Sequence, residues 1–243
     1  MKYQNNFFGL QMRAYGTLIG MLFASAIYAE DLPSGEVAAS GAGTVSAVPA
    51  AAPAVAATTA SAAGTVQLVE PCFACHGTNG NNTEADVPNI ASYSAYYLTG
   101  SLKKFKDKIR PCVETEIRSG DKKGSKTDMC QIAAGLSDSD ITQIGDYFAA
   151  QTFVPTPQTF DAELAKKGKA IQDSKCSTCH DKDGGLPGDN AGILAGQKMA
   201  YLRQQVKFFK EGKRPMHKRM KPKLEALDDS ELEAVVNFFA SKV

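Results

Sequence analysis

The chain has 243 residues, 43% of them hydrophobic, with 27 Lys and Arg against 26 Asp and Glu. That length accommodates one or two domains of ordinary size. A charge so nearly balanced lacks the basic surface that nucleic-acid binding requires, so nucleic acid is excluded as a partner.

Residues 1–29 have the composition of an export signal. Lys2 and Arg13 provide the positive region, and residues 14–29 (AYGTLIGMLFASAIYA) form an uncharged, mostly apolar run. Cleavage is expected after Ala26 or Ala29. The run is short for a membrane span of about 20 residues, and an uncleaved anchor is the alternative. Cleavage after Ala29 would leave 25 basic and 26 acidic residues. Residues 30–64 are rich in Ala, Pro, Ser and Thr, with almost no large apolar side chains. They bury too little to offset chain entropy, so a disordered leader is expected.

The next feature is Cys72-Phe73-Ala74-Cys75-His76, and it recurs as Cys176-Ser177-Thr178-Cys179-His180. In this pattern two thiols add across the vinyl groups of a heme and the following His becomes an axial iron ligand. The spacing suits one helical turn, which brings both sulfurs and the imidazole to one edge of the macrocycle. Zinc would need four ligands per site at finger-like spacing, and a dithiol redox pair needs a βαβ setting. Neither explains a His directly after both pairs. Two covalent hemes c are therefore expected, held by Cys72, Cys75, Cys176 and Cys179, with His76 and His180 on the irons.

The two motifs belong to an internal repeat. At an offset of 104, His76 pairs with His180, Tyr97-Leu98 with Tyr201-Leu202, and Arg110-Pro111 with Arg214-Pro215. Beyond that the offset falls to 91, pairing Met129 with Met220 and Leu136-Ser137-Asp138 with Leu227-Asp228-Asp229. The first copy thus carries a 13-residue insertion between Cys112 and Met129, and the polar, glycine-containing residues 114–126 are its surface loop. Residues 152–159 (TFVPTPQT) carry two prolines and read as the linker. The expected organisation is a first domain over 65–151 and a second over 160–243.

The periodicity is helical throughout. Leu98, Leu102 and Phe105, with Leu202, Val206 and Phe209, mark a middle helix in each copy; Ile141, Ile144, Gly145 and Phe148, with Leu232, Val235, Val236 and Phe239, mark a closing helix. Ser137 with Asp140, and Asp228 or Asp229 with Glu231, are start signals for the closing helices. No strand or hairpin signal is present, and the fold class is all-α.

A heme bound by one His needs a group opposite, and a thioether there raises the potential while a second imidazole lowers it. Met129 is the only Met between the two motifs. In the second copy Met216, His217 and Met220 lie close together; the repeat pairs Met216 with Cys112 and Met220 with Met129, which selects Met220. Cys112 and Cys130 remain after heme attachment, and in an oxidising compartment an even pair suggests a disulfide closing the inserted loop. Cys130 as a thiolate iron ligand is the competing reading. From 198 to 223 there are ten Lys or Arg and one acid, Glu211. Such a run is a solvated face by default and, more sharply, a docking rim for an acidic partner.

Cys72 to His76, Met129, Leu136-Ser137-Asp138 and their counterparts, together with Leu194-Ala195-Gly196-Gln197 and Phe209-x-x-Gly212-Lys213-Arg214, resemble the diheme cytochrome c4 family. Arg214-Pro215-Met216 followed by Met220 and Lys223-Leu224 is similar to the cytochrome subunit of flavocytochrome c sulfide dehydrogenase. The resemblance covers about residue 66 to 243. It implies two tandem class I cytochrome c domains related by pseudo-twofold symmetry, and an exported, periplasmic electron-transfer protein that is not an enzyme alone. Its implied partners are redox proteins: an FAD-containing subunit that oxidises sulfide, a terminal oxidase or another cytochrome. It also implies that the carbonyl of Pro88 orients the His76 imidazole, whereas Gly192 stands at the paired position of the second copy. Catalysis on a sulfur compound, of the thiosulfate dehydrogenase type, or on peroxide, at a labile or Cys-ligated heme, is the alternative.

The denatured chain is expected to exceed its polypeptide mass by two hemes in electrospray mass spectrometry. Heme lost on acid–organic extraction would refute thioether attachment.

Overall fold

The computed structural model of the protein describes residues 55–186 and 190–243, with side chains from residue 64 onward. The expected export signal, and residues 30–54 of the expected leader, lie outside the described residues. The described chain is mostly helical, with few strands. α1 (Val55–His76) runs into the first Cys-x-x-Cys-His motif and ends on its His. α2 (Ala95–Lys106), a short hairpin of β1 (Thr115–Glu116) and β2 (Lys126–Thr127), α3 (Met129–Ala134) and α4 (Asp138–Ala149) complete the first copy. The second comprises α5 (Ala162–Ile171), a wide turn over Gln172–Cys176, the single turn α6 (Asp181–Gly184), α7 (Met199–Lys210), α8 (Lys221–Glu225) and α9 (Asp229–Ala240). No described helix is long and apolar enough to cross a membrane.

Three expectations need correction. α1 begins at Val55, ten residues inside the stretch expected to be disordered. Poverty in large apolar side chains says nothing about backbone preference, and alanine has the highest helix propensity. The insertion is not wholly irregular: Thr115 pairs with Thr127 and Glu116 with Lys126 in an antiparallel ladder. Two residues per strand are too few to leave a periodic signal in sequence. The second motif is not on a regular α-turn, because the backbone widens over Gln172–Cys176 before reaching it.

The helix starts follow local chemistry. Ser137 and Asp140 form a capping box on α4, and Asp228 and Glu231 form its counterpart on α9. Each satisfies backbone N–H groups that the first helical turn leaves without carbonyls. Ile141, Ile144, Gly145 and Phe148 are the buried face of α4, matching the expected periodic set. On α9 Leu232, Val236 and Phe239 are buried as expected and Val235 is partly buried, while Ala234, Asn237, Phe238 and Ala240 join the buried set.

The repeat is visible in hydrogen bonds as well as in letters. The carbonyl of Gly80 accepts from Ile90 and Ala91, and that of Gly184 accepts from Leu194 and Ala195. The N–H of Ser92 reaches Phe148 as that of Gly196 reaches Phe239. Both Gly80 and Gly184 have positive φ, 79° and 82°, and a Cβ at either would come within 3 Å of Phe148 or Phe239. Arg110 lies over the Phe105 ring at 4.3 Å and Arg214 over Phe209 at 4.5 Å, the same cation–π contact in each copy.

The two copies are joined by reciprocal bonds. Tyr93 donates its hydroxyl to the Ile193 carbonyl at 2.9 Å, while Gln197 donates its amide to the Asn89 carbonyl at 2.9 Å. Residues 93 and 197, and 89 and 193, are partners at the repeat offset of 104, so each copy gives the other the same bond. Ile193 also joins the apolar cluster of the first copy, beside Tyr93, Leu98 and Phe148.

α5 lies hard against α9. A Cβ on Gly168 would sit 2.1 Å from the Ala234 carbonyl oxygen, whereas one on Gly64, the paired residue of α1, meets nothing within 4 Å. Gly168→Ala is expected to lower unfolding free energy by about 1–3 kcal/mol through overpacking. Gly64→Ala is expected to raise it by about 0.5–1 kcal/mol by removing a helical glycine. Urea denaturation followed by circular dichroism compares the two.

Candidate heme sites

Cys72, Cys75 and His76 share the last turn of α1, so the expected first cluster is brought together by one helix. Both thiols are unpaired and partly buried. The Nδ1 of His76 lies 3.0 Å from the carbonyl oxygen of Pro88. A neutral imidazole donates its Nδ1 proton there and keeps its Nε2 lone pair for a metal. Burial holds the imidazole below its ordinary pKa, opposed by the Pro88 bond and reinforced by the charge of Lys198. Neutral imidazole is the form that coordinates. The carbonyl of Pro88 is itself fixed by the Asn82 side-chain amide at 3.1 Å.

Burial pushes the Cys72 thiol up to about 11 and also raises Cys176. This is the reverse of a dithiol redox site, which needs a depressed thiolate pKa. Two unpaired thiols, a neutral imidazole oriented by a carbonyl, and partly buried apolar neighbours such as Leu68, Phe73 and Leu102 suit a heme attached through two thioethers.

The insertion folds back onto this motif, which its sequence gave no sign of. The carbonyl of Ala74 accepts from the Arg118 N–H at 3.0 Å and from the Ser119 hydroxyl at 3.3 Å. Arg118 in turn grips Asp86 at 2.7 Å and Glu84 at 3.6 Å, tying the hairpin to the loop after α1. A disulfide between Cys112 and Cys130 closes the inserted loop. That bond removes the reading of Cys130 as a thiolate iron ligand, because its sulfur is already spent. Met129, adjacent to it, is the first residue of α3 and is partly buried. Asp128 caps this helix by accepting from the N–H groups of Cys130 and Gln131, so cap and disulfide together fix the backbone on either side of Met129.

In the second copy, His180 and Cys179 follow the widened turn and donate their N–H groups to the Cys176 carbonyl at 3.0 and 3.2 Å. Gln172, fully buried, donates its side-chain amide to the His180 carbonyl at 2.6 Å. Sequence reasoning missed it, since a Gln four residues before a motif carries no signal. Gly192 replaces Pro88 because of the other copy: a Cβ there would lie 3.1 Å from the Tyr97 hydroxyl. Met216 and Met220 both pack against Leu224, Leu227 and Leu232. His217 is exposed, with its ring nitrogen accepting from the Arg219 N–H at 3.3 Å.

Charge is unevenly divided. Residues 65–151 hold nine basic and eleven acidic side chains, and residues 160–243 hold sixteen and twelve. Around Met220, Lys218, Arg219 and Lys223 are exposed and make no ion pair among the described residues.

Residues 163–239 match the family model described as cytochrome c oxidase, cbb3-type, subunit III. The chain is 33% identical to cytochrome c-552 of Acidithiobacillus ferridurans over 152 residues, 59% of this chain and 61% of that protein. It is 32% identical to cytochrome c4 of Stutzerimonas stutzeri over 154 residues, 59% of this chain and 69% of that one. A thiosulfate dehydrogenase electron acceptor from Thiomonas intermedia is 30% identical over 155 residues, 59% and 64% of the two chains. The first and third are thus matched over less than two thirds of their length. The structure of reduced recombinant cytochrome c4 from Pseudomonas stutzeri superposes with a TM-score of 0.60 at 28% identity, covering 75% of this chain and 98% of that one.

Replacing Cys112 and Cys130 together by Ser is expected to lower stability by about 3 kcal/mol, the entropy of a closed loop of this length. Guanidinium unfolding of the holoprotein measures it.

Proposed function

Because this chain belongs to the cytochrome c4 family of diheme c-type cytochromes, we propose that it is a periplasmic relay moving electrons between a donor and an acceptor protein. It binds two covalent hemes c and is an electron-transfer protein, not an enzyme by itself. The observation that carries the reading is the pair of Cys-x-x-Cys-His sites within one compact unit, bonded to each other through Tyr93, Gln197 and the carbonyls of residues 89 and 193. Bound heme supplies reversible one-electron iron chemistry.

The chain's part in that chemistry is to position and insulate. His76 and His180, with Met129 and Met220, are the residues that would hold the two irons. The Pro88 carbonyl fixes the ring and tautomer of His76, Gln172 holds the backbone at His180, and the Cys112–Cys130 bond pins Met129. With both ligands of each iron supplied by the chain, bound heme would exchange electrons and would have no position for a substrate. The folding units of the relay are residues 65–151 and 160–243, joined through 152–159.

The partner side is read from charge. Lys218, Arg219 and Lys223 flank Met220 in the chain, are exposed, and make no ion pair among the described residues. This stretch suits a redox partner with an acidic docking face, whose encounter its charge would accelerate. A second reading, supported by the likeness to the thiosulfate dehydrogenase electron acceptor, makes the partner a sulfur-compound oxidoreductase. The sequence likeness to the flavocytochrome subunit adds a sulfide-oxidising flavoprotein as one form of it.

Size-exclusion chromatography of the native protein, followed at heme and flavin wavelengths, separates these forms. Flavin co-eluting with both hemes above the size of one chain makes this a subunit of a flavoenzyme; heme alone leaves a free-standing relay. Lys218→Glu with Arg219→Glu is expected to slow bimolecular electron exchange with an acidic partner about tenfold at low ionic strength, with the difference vanishing at high salt. An unchanged stopped-flow rate would place docking elsewhere.

A further inference from the structure

Lys198 is the least expected side chain in the molecule. It belongs to the second copy, is 2% exposed, and extends into the first copy, where its ammonium donates to the Asn89 side-chain oxygen at 2.6 Å. It is also the N-cap residue of α7 and makes no capping bond. A cation there opposes the positive end of the helix dipole, and the usual cap is a small oxygen-bearing side chain. The paired residue of the first copy, Ser94, is such a cap and accepts from the Tyr97 N–H. The second copy has therefore given up a cap and buried a charge on a neutral acceptor, two local costs with no local gain.

The gain lies at the other end of the bonds. Asn89 follows Pro88, whose carbonyl holds Nδ1 of His76 at 3.0 Å. The Asn82 side-chain amide bridges the two, reaching the Pro88 carbonyl at 3.1 Å and the Asn89 side-chain oxygen at 3.3 Å. Lys198, Asn89, Asn82, Pro88 and His76 thus form one connected set. At the repeat-paired positions of the second copy, Ile193 stands where Asn89 does and Gly192 where Pro88 does.

We infer that Lys198 is a positioning residue for electron transfer: contributed by one copy, it raises the reduction potential of the heme held by His76 in the other and so separates the two potentials. A buried cation favours the ferrous state, which carries one positive charge fewer than the ferric, and low local dielectric preserves the effect. The inference rests on His76 being an iron ligand. The charged groups that act on Lys198 are Glu84 and Asp86, both bound to Arg118, and Lys198 acts in turn on His76 at the end of α1. Burial brings the lysine down to about 8 against the pull of Glu84 and Asp86. Its charge is present below that pH and lost above it, so the first heme's potential should fall as pH rises through about 8, while the second stays level.

The test is spectroelectrochemistry of holoprotein, resolving both hemes from pH 6 to 9.5 in the wild type, Lys198→Met and Lys198→Arg. The expected result in Lys198→Met is a roughly tenfold shift of electron occupancy away from the first heme, about 59 mV for a one-electron couple, with no fall through pH 8. Lys198→Arg should keep the wild-type potential at pH 7 and lose the pH dependence. A first-heme potential unmoved in Lys198→Met, or the same fall through pH 8 in both variants, would overturn the inference. If Lys198→Met does not fold, the wild-type titration decides, and a potential flat from pH 7 to 9.5 is the overturning result. The sulfur-to-iron charge-transfer band and low-spin spectrum of each protein are recorded first. A high-spin first heme in the wild type would remove the ligand assignment, whereas a missing sulfur-to-iron band alone would remove only Met129; both are distinct from intact ligation with an unmoved potential.

Discussion

The contact on which the rest depends is the buried polar seam between the two copies. Gln197, fully buried, donates to the Asn89 carbonyl and to the Tyr93 hydroxyl, and accepts from the Asn89 N–H. Asn89 sends its own side-chain amide to the Val154 carbonyl and the Thr156 hydroxyl, so the linker is fastened into the same seam. Apolar packing alone would let two helical units slide and rotate. Directional bonds that each cost about 1–3 kcal/mol when broken and left buried admit one arrangement. For a protein whose work depends on the distance between two redox centres, one arrangement is the functional requirement.

Duplication explains the skeleton, and divergence explains the differences. The paired capping boxes, Gly80 with Gly184, and the two Arg–Phe contacts keep both copies on one plan. Several departures fall where the copies meet or where one gained chain. Gly192 makes room for Tyr97, Lys198 reaches the loop behind His76, and the insertion covers the Ala74 carbonyl. Each difference gives the two motifs unlike surroundings. Unlike surroundings are the only means by which two chemically identical sets of Cys and His can hold electrons with different affinity.

The insertion shows how a polar segment can carry structural weight without a core. Its hairpin has two residues per strand, too short to be stable alone. A disulfide at its base, two bonds to the first motif and the Arg118 ion pairs supply what apolar burial does not. The chain also keeps a near-neutral total while concentrating basic residues in the second copy.

The amino-acid sequence by itself determined what depends on near neighbours. The Cys-x-x-Cys-His spacing named the cofactor, helical periodicity located α4 and α9, Ser137 and Asp228 marked their starts, and the repeat singled out Met129 and Met220 as candidates. Composition misjudged the start of α1, because a lack of apolar side chains does not prevent a helix. What only tertiary structure decided is pairing across long separations: the Cys112–Cys130 bond that rules out a thiolate ligand, Gln172 beneath His180, the hairpin on Ala74, and Lys198 behind His76. Periodicity and caps act within a few residues of one another and leave a local trace. A bond between residues 89 and 198 is set by how two folded units dock, and no stretch of sequence around either residue records its partner.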